Sequence, residues 1–397
     1  MPVELRKSGI NDVSPSGSFR ITIPVTKVGA GMVDRPIKLN LGISSGATGV
    51  DTSDIFLALG SNKLKLKVTL EDRITQCYVE VSKWDYYNRE GIVFVKVPSI
   101  SGTFNTILYL FYDNNMTDNT LYVGVTGSLP AQTVWENHFV AVYHFAEQGD
   151  GTAGEIKDST KGVHHGTGHG TGGAPSRTIG PNGSYSMQFN GYDHYISVPN
   201  HATLSVNTTG YLTVSVLMNP STLNFTAAAG YMIIWQKGDF GSYEWQATFY
   251  PQSSDPGHLY FHFASPNGAI DDDVQLWDPT GAGITGKNAF GPLVWNLCTC
   301  MMSLVGAGYI KSRLNRSPWI GFIAPGGQYD AQDKILTNPG AMMAGGSQLT
   351  IGSSLSGGLT EFYSGLFAEL RISDAAREED WISLDYYDLL DLLVTYG

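Results

Sequence analysis

Apolar and polar residues alternate along much of the chain, which is the pattern of strands that bury one face. The run "FRITIPV" (residues 19–25) follows this pattern, and Pro24 predicts a strand end or a sheet edge because proline cannot donate a backbone hydrogen bond. In contrast, "NTILYLFYD" (105–113) is apolar on both faces, which favours a strand in the middle of a sheet. Turn residues such as those of "SPNG" separate these runs, so we predict many short strands.

The composition favours the same fold class. The 397 residues include 47 glycines, 21 tyrosines and 18 prolines, which are more typical of turns and half-buried strands than of helices. The length predicts about two domains. We therefore expect an all-β protein built from sandwiches or jelly rolls.

One helix is predicted, at the end of the chain. Ser373 or Asp374 is its expected N-cap, and acidic residues follow in the first turn. Apolar residues at helical spacing then form a stripe, which consists of Ile382, Tyr386, Leu389, Leu390 and Leu393. Two interpretations stay open, because the stripe can pack on its own sandwich or meet a neighbouring subunit.

The net charge of −12 argues against a nucleic-acid partner, because phosphate binding needs lysine and arginine to replace counterions. The first residues lack the apolar stretch of a secretory signal, and no run of about 18 apolar residues predicts membrane insertion. We expect the chain to fold in a cytoplasm unless a leader has been trimmed. The three cysteines, Cys77, Cys298 and Cys300, show no CxxC spacing and are interpreted as small core residues.

The most unusual segment is "DSTKGVHHGTGHGTGG" (158–173), in which His164, His165 and His169 stand on a glycine run. Zinc requires about four nitrogen or sulfur ligands on ordered elements, which this run does not offer. A phosphate-binding loop would need a GxxxxGK[ST] pattern, which is also missing. We interpret the segment as a connector between modules, in which Asp158 and Ser159 cap a turn and the glycines adopt positive φ.

Several landmarks then connect the chain to known families. "FRITI", "TSDIFLAL", "VFVKVPSI" and "ILYLFYDN" resemble a domain of unknown function found in bacterial, archaeal and phage proteins. "VWENHFVAVYHFAE" (134–147) is similar to the next landmark of that family. The resemblance implies a β-sandwich over 18–133, after an N-terminal arm at 1–17.

The remaining landmarks are similar to a laminin-G-like, concanavalin A-like jelly roll. They are "DSTKGVHHGT", "SMQFNGYDHYISVPN", "LTIGSSLSG" and "GLFAELRISDAAREEDWI". The resemblance implies two β-sandwich domains, the second a concanavalin A-like jelly roll at 134–373, with a short C-terminal helix and tail at 374–397. Ala368 departs from the family, which commonly has an acidic residue before Glu369, and one potential cation ligand is thereby lost.

Jelly rolls of this class often hold calcium near the sandwich rim, and calcium takes carboxylate and carbonyl oxygens from loops. No cofactor is certain from the sequence. The candidate calcium ligands are Asp158 in the family loop and the acidic run Asp271, Asp272 and Asp273. The alternative is a solvated acidic loop.

Sugar binding needs aromatic faces for stacking and a few fixed polar groups. The candidate glycan-binding residues are Trp235, Tyr243, Trp245 and Trp277. Each of them also has the size and shape of a core residue.

No catalytic pattern is found: neither the E-x-D-x-x-E strand of jelly-roll glycosidases nor a G-x-S-x-G or HExxH motif occurs. We therefore expect a non-enzymatic protein on a virion surface, such as a phage decoration, fibre or tail-associated subunit. Its partners would be other virion subunits or copies of itself, and host surface glycans. The alternatives are a secreted or cell-surface glycan-binding adhesin whose leader was removed and, more remotely, a jelly-roll glycoside hydrolase.

Overall fold

The computed structural model describes residues 16–221, 232–239, 242–252, 255–264, 270–276, 293–305, 309–314, 322–324, 328–330, 334–335, 346–354 and 361–397. For those within 239–243, 249–276 and 314–335, only the backbone is described. The chain divides into two compact units. Unit 1 consists of 1–134 and 391–397, and unit 2 of 135–390. In the sequence, unit 2 therefore stands between the two parts of unit 1.

Unit 1 is a β-sandwich of two four-stranded sheets. One sheet has the order β25-β1-β6-β3 and the other β2-β5-β4-β7, in which only β4 and β7 run parallel. The strands are β1 (Ser16–Ile23), β2 (Met32–Leu41), β3 (Leu66–Leu70), β4 (Val79–Asp85), β5 (Glu90–Ile100), β6 (Thr106–Asp113), β7 (Val123–Val125) and β25 (Thr395–Tyr396). Two short helices, α1 (Asp54–Leu59) and α2 (Leu129–Val134), accompany them.

The alternation in the sequence explains the first sheet. Ile21 and Ile23 are fully buried, and β1 ends immediately before Pro24, as predicted. Strand β6 lies between β1 and β3, which confirms the central position expected from its apolar sequence. Cys77 is buried, and burial raises the pKa of its thiol to about 12, so it is a core residue as expected.

Unit 2 is a larger sandwich. Its first sheet has the order β10-β11-β24-β13-β18-β19-β22, with β8 also paired to β24, and its second the order β17-β16-β15-β14-β23-β12-β9. The strands are β8 (Phe139–Tyr143), β9 (Thr167–His169), β10 (Ser176–Ile179), β11 (Tyr185–Asn190), β12 (Tyr195–Val198), β13 (Tyr211–Pro220), β14 (Met232–Asp239), β15 (Ser242–Gln252), β16 (Asp255–Ala264), β17 (Ile270–Leu276), β18 (Asn296–Ser303), β19 (Tyr309–Leu314), β20 (Phe322–Ala324), β21 (Gln328–Asp330), β22 (Lys334–Ile335), β23 (Leu349–Ile351) and β24 (Ser364–Ser373). Strands β20 and β21 pair with each other. The short helix α3 (Val206–Thr209) precedes β13.

The core of unit 2 lies between its two sheets. It contains inward-facing residues from both, including Phe189, Val214, Phe367 and Trp245. Cys298 and Cys300 lie in the same core, two positions apart on β18, which confirms their role as small apolar residues. The predicted fold class is confirmed: the protein is all-β, with two sandwiches and a short C-terminal helix.

The C-terminal helix α4 (Glu379–Leu389) begins later than predicted. Its N-cap is Glu378, whereas Ser373 is the last residue of β24 and Asp374 follows it. Ile382 and Leu389 are buried against Leu217 and Ala368 of the first sheet. The apolar stripe therefore packs on its own sandwich rather than being left for a neighbouring subunit.

The last seven residues do not continue this helix. Tyr396 of β25 pairs with Ile21 of β1, and its hydroxyl donates to the Asn40 carbonyl at 2.8 Å. Leu393, which the sequence places in the helical stripe, is buried in this segment of unit 1. The segment 374–397 is thus divided between the two units. Within the described part of the chain, no helix has the length and hydropathy of a membrane span.

Candidate functional site

Two of the predicted sugar-binding tryptophans belong to the core. Trp235 on β14 is 1% exposed and Trp245 on β15 is 0% exposed, and both lie in the cluster between the two sheets. The Trp245 indole also donates to the Leu204 carbonyl at 3.2 Å. A pyranose cannot stack on a ring that is enclosed on both faces, so the assignment of these two residues to a glycan site is wrong.

The other two predicted sugar-binding residues are not described by side-chain contacts. Tyr243 lies on the strand β15, while Trp277 falls outside the described residues. Their assignment stays a prediction.

Asp158 is a structural centre of unit 2. One of its oxygens, Oδ1, accepts from the backbone N–H groups of Val142 and Thr160, both at 2.9 Å. The other, Oδ2, accepts from the Thr160 hydroxyl at 2.9 Å and the His164 N–H at 2.8 Å. Burial raises the pKa of this carboxyl group, and the donated hydrogen bonds oppose that rise. With four donors on two buried oxygens, Asp158 has no lone pair directed to a calcium ion, so its predicted role as a ligand is wrong.

The acidic run Asp271, Asp272 and Asp273 lies on a strand, β17, and not in a loop. Asp272 pairs with Phe263 and Asp273 with His262 in the register of β16. Neighbouring positions of a strand lie on opposite faces of a sheet, so the three positions do not share one face. This arrangement does not favour a common ion. In the described part of the chain, no group of three or more His, Cys, Asp or Glu side chains is placed to hold a metal.

The three histidines of the glycine-rich segment have separate partners. His164 Nε2 lies 2.9 Å from the Thr203 hydroxyl, and its ring lies 4.7 Å from that of His201. Burial, with the nearby His201 and His165, lowers the pKa of His164 to about 4. His165 Nδ1 accepts from the Asp158 N–H at 3.0 Å. These imidazoles hold the segment against neighbouring elements of unit 2.

The segment 158–173 lies entirely inside unit 2, so its interpretation as a connector between modules is wrong. Its glycines mainly allow neighbouring residues to approach the backbone closely. A Cβ at Gly166 would lie 2.6 Å from Cγ2 of Ile196, and Gly173, at 135°, is the one glycine of this segment with a positive φ. A side chain at Gly166 would force the neighbouring core residue to move.

A different part of unit 2 carries an exposed aromatic residue beside ordered polar groups. We call it the hairpin patch, after the chain reversal between β11 and β12, which belong to different sheets. It consists of His169, Thr171, Tyr192, Asp193 and Tyr195. Tyr192 lies between β11 and β12 and is 68% exposed. At the side of the patch, the rings of His169 and Tyr195 stack at 4.5 Å with an angle of 14°.

Asn190 fixes the loop of the hairpin patch. Its Oδ1 accepts from the backbone N–H groups of Tyr192, Asp193 and His194, at 3.0 to 3.1 Å. Its Nδ2 donates to Oδ1 of Asp193 at 2.6 Å, and Oδ2 of Asp193 accepts from the Thr171 N–H at 2.7 Å. The loop is thereby tied to the end of β9 and presents Tyr192 from an ordered turn.

The hairpin patch combines one anion with neutral rings. Hydrogen bonds from Asn190 and Thr171 lower the pKa of Asp193, so this carboxylate is ionised at neutral pH. Burial lowers the pKa of His169, which keeps its imidazole neutral there. His169 Nε2 lies 2.8 Å from the hydroxyl of Ser197. The patch therefore offers a hydrogen-bond acceptor, hydroxyl groups and an apolar ring face, which are the groups that bind a neutral sugar.

Ser197 also belongs to a polar row that crosses the second sheet. The register aligns Thr167, Ser197, Thr350, Gln236 and Gln246, and then the backbone positions of His262 and Asp273. Gln246 Nε2 donates to Gln236 Oε1 at 3.0 Å, and Gln236 Nε2 donates to the Gly238 carbonyl at 2.7 Å. These two amides are buried and engaged with each other, whereas Ser197 and Thr167 are half-buried at the β9 end of the row, beside the hairpin patch.

No protein-family model and no curated protein matches the chain. Among solved structures, the binding domain of Paraclostridial Mosquitocidal Protein 1 is similar at 12% identity and a TM-score of 0.45. The match covers 64% of this chain and 52% of that one, so the chain spans about half the length of that domain structure.

Two further solved structures are similar. Domain 4 of AbnA, an extracellular arabinanase from Geobacillus stearothermophilus solved with arabinotriose, shares 17% identity, with coverage of 62% and 96% and a TM-score of 0.39. A heptameric SAP-like pentraxin from Limulus polyphemus shares 15% identity, with coverage of 51% and 81% and a TM-score of 0.35.

The predicted sugar-binding residues did not include the hairpin patch, because three of the four were chosen as tryptophans. The signal was present in "NGYDHY" (190–195), in which a glycine turn carries tyrosines beside asparagine, aspartate and histidine. Turn residues favour exposure, whereas the tryptophans stand in strands of alternating pattern, where large rings pack inward. An exposed aromatic residue that stacks on a sugar is therefore expected in this turn rather than in the strands.

Proposed function

We propose that this protein is a non-enzymatic adhesion subunit of a virus particle and that its unit 2 binds glycans through the hairpin patch. The observation that carries the binding proposal is Tyr192, which is 68% exposed beside the ordered pair of Asn190 and Asp193. An exposed aromatic ring beside pre-organised hydrogen-bonding groups is the combination that sugar-binding sites use. The particle location rests on the family resemblance of unit 1.

Glycan binding is tested on an array with the full chain and then by calorimetry on the sugars found. Tyr192→Ala should weaken binding by about two- to tenfold, which is the effect of losing one aromatic contact. Asp193→Asn should weaken it as well, because the amide has only one acceptor oxygen. Tyr87→Ala is the matched control, since Tyr87 is 81% exposed but lies in unit 1.

Binding that is unchanged in Tyr192→Ala, or an array with no bound sugar, would contradict the glycan site. Particle association is tested separately, by asking whether the protein co-purifies with particles from its source. A freely diffusing monomer that binds glycans would contradict the particle location and favour the cell-surface adhesin.

A further inference from the structure

The outward face of the first sheet of unit 1 carries aromatic and cationic residues in two neighbouring rows. In one row, Arg20 of β1 pairs with Tyr109 of β6, and in the next, Ser18 pairs with Phe111. Strand β3 extends the second row with Lys67, whose Nζ lies 5.6 Å from the centroid of the Phe111 ring. Side chains two positions apart share a face of a sheet, so the two rows form one continuous surface.

Two exposed guanidinium groups meet at Tyr109. The Cζ of Arg73 lies over the Tyr109 ring, 4.2 Å from its centroid. A hydrogen bond from Arg73 lowers the pKa of the Tyr109 hydroxyl, and Arg20 lowers it further through its charge and a weaker hydrogen bond. Arg20 Nη1 also donates to the Thr22 hydroxyl at 3.1 Å.

Among the described residues, neither Arg20 nor Arg73 forms an ion pair with a carboxylate. Like charges held close together repel unless an anion lies between them. The phenol supplies only a neutral acceptor, so an oxyanion reached by both guanidinium groups would relieve their repulsion. Stacking on the ring orients the planar donors of Arg73, which suits bidentate binding.

A shallow depression of about 340 Å³ lies at the row of Ser18, Phe111 and Lys67, which is next to the row of Arg20 and Tyr109 in the strand register. Its lining includes Ser18, Lys67, Phe111 and Asp113. This volume is at the lower end of the range for small-molecule sites. The depression therefore fits a ligand of one or two rings, with cations at one side and the carboxylate of Asp113 at the other.

We propose that Arg20 and Arg73 bind the oxyanion, a carboxylate or a sulfate, of an acidic sugar whose ring and hydroxyl groups occupy the adjoining depression. The site lies in unit 1 and is separate from the hairpin patch, so the proposal goes beyond the proposed function. A single anion flanked by hydroxyl groups matches the arrangement, because Asp113 accepts hydroxyl donors and repels a second anion. An acidic peptide or a nucleic acid carries successive charges, which Asp113 and the net charge of −12 disfavour.

The test is calorimetry of the full chain with a galacturonic acid oligosaccharide and with the same sugar as its neutral methyl ester. We expect the acid to bind at least tenfold more tightly than the ester, with an affinity that falls as salt rises. A sulfated galactan oligosaccharide, run in parallel, distinguishes sulfate from carboxylate, and preference for either supports the proposal.

Substitutions of Arg20 and Arg73 test whether the acidic sugar binds at this pair. Arg20→Gln and Arg73→Gln should each weaken binding of the acidic sugar about tenfold, and Arg73→Lys should have an intermediate effect because it keeps the charge but loses the planar donors. The matched control is Arg177→Gln, since Arg177 is another exposed arginine stacked on a tyrosine, 4.4 Å from the Tyr185 ring centroid in unit 2. Its affinity should equal that of the unchanged protein.

The proposal is overturned if the methyl ester binds as tightly as the acid, or if neither anionic sugar binds at millimolar concentration. It is also overturned if a polyglutamate peptide binds as tightly as the acidic sugar or if the Arg20 and Arg73 variants have no effect. Tyr192→Ala should leave this binding unchanged, so the failure of one site is distinguished from the failure of the other.

Discussion

Arg371 on β24 and Asp385 on α4 form an ion pair in which the two side chains are only 2% and 3% exposed. The same guanidinium donates to Glu369 at 2.9 Å, and Glu369 in turn lies 2.7 Å from Nδ1 of His144. Burial alone would raise the pKa of Glu369, but the charges of His144 and Arg371 lower it. This buried network attaches the helix to the first sheet of unit 2.

Removing the Asp385 carboxylate should therefore destabilise unit 2. Asp385→Ala leaves the Arg371 charge buried with fewer partners, and we expect a loss of about 3–5 kcal/mol in the free energy of unfolding of unit 2. Denaturant unfolding followed by tryptophan fluorescence measures this. The control is Glu378→Ala at the exposed N-cap position of the same helix, where the side chain makes no capping hydrogen bond, and it should cost less than about 1 kcal/mol. Equal effects of the two variants would contradict the network's role.

His164 makes the stability of unit 2 depend on pH. Its pKa is lowered from 6.5 to about 4 in the folded protein, so the unfolded chain takes up the proton first. Stability should fall as the pH drops from about 6.5 to about 4, with His164 contributing at most about 3 kcal/mol of that loss. His164→Gln should flatten the unfolding free energy across this window.

The control for this pH dependence is His138→Gln, because the side chain of His138 is 64% exposed. It should leave the slope between pH 6.5 and pH 4 nearly unchanged. Glu369, whose pKa is lowered from 4.5, begins to lose its contribution only at the acidic end of this window. Burial also lowers the pKa of His165 and of His169, so these two residues add to the slope with the same sign as His164. A slope that is the same in His164→Gln as in the unchanged protein would exclude His164 as its source.

Asp158→Asn tests whether this residue is structural. The amide nitrogen cannot accept the hydrogen bonds that one carboxylate oxygen receives, so we expect a loss of about 2–3 kcal/mol. The same loss should be measured with added calcium and with chelator, because the carboxylate has no free lone pair for an ion. Asp118→Asn, at an exposed position, should have almost no effect. A calcium-dependent difference between Asp158→Asn and the unchanged protein would restore a metal role.

Tyr396→Ala tests whether the segment 391–397 stabilises unit 1. The variant removes a buried ring that lies 6.3 Å from the Phe19 ring, edge to face, and should destabilise unit 1 by about 3–4 kcal/mol. Tyr396→Phe, which loses only the hydrogen bond to Asn40, should cost about 1 kcal/mol. Hydrogen exchange should accelerate in peptides of β1 and β6 while those of unit 2 keep their protection. Acceleration confined to unit 2 would contradict this assignment.

The strands and the fold class followed from the sequence because alternation reports burial directly, as Ile21, Ile23 and the cysteines of β18 illustrate. The helix start was misplaced because Ser373 and Asp374 are good N-cap residues, yet strand pairing extends through Ser373, and local propensity yields to it. The site was harder to predict. Trp235 and Trp245 have the chemistry of a sugar platform, and only the register of β14 and β15 places them inward. Asp158 has the chemistry of a calcium ligand, but Thr160 and His164 of its own turn, together with Val142 of β8, donate to its two oxygens.

The placement of β25 has a consequence for biosynthesis. Residues 16–134 of unit 1 leave the ribosome first, but Tyr396 and its neighbours follow only after all 256 residues of 135–390. Until then, β1 lacks one of its two neighbouring strands. All strands of unit 2 have therefore emerged before unit 1 can form its last native strand pair.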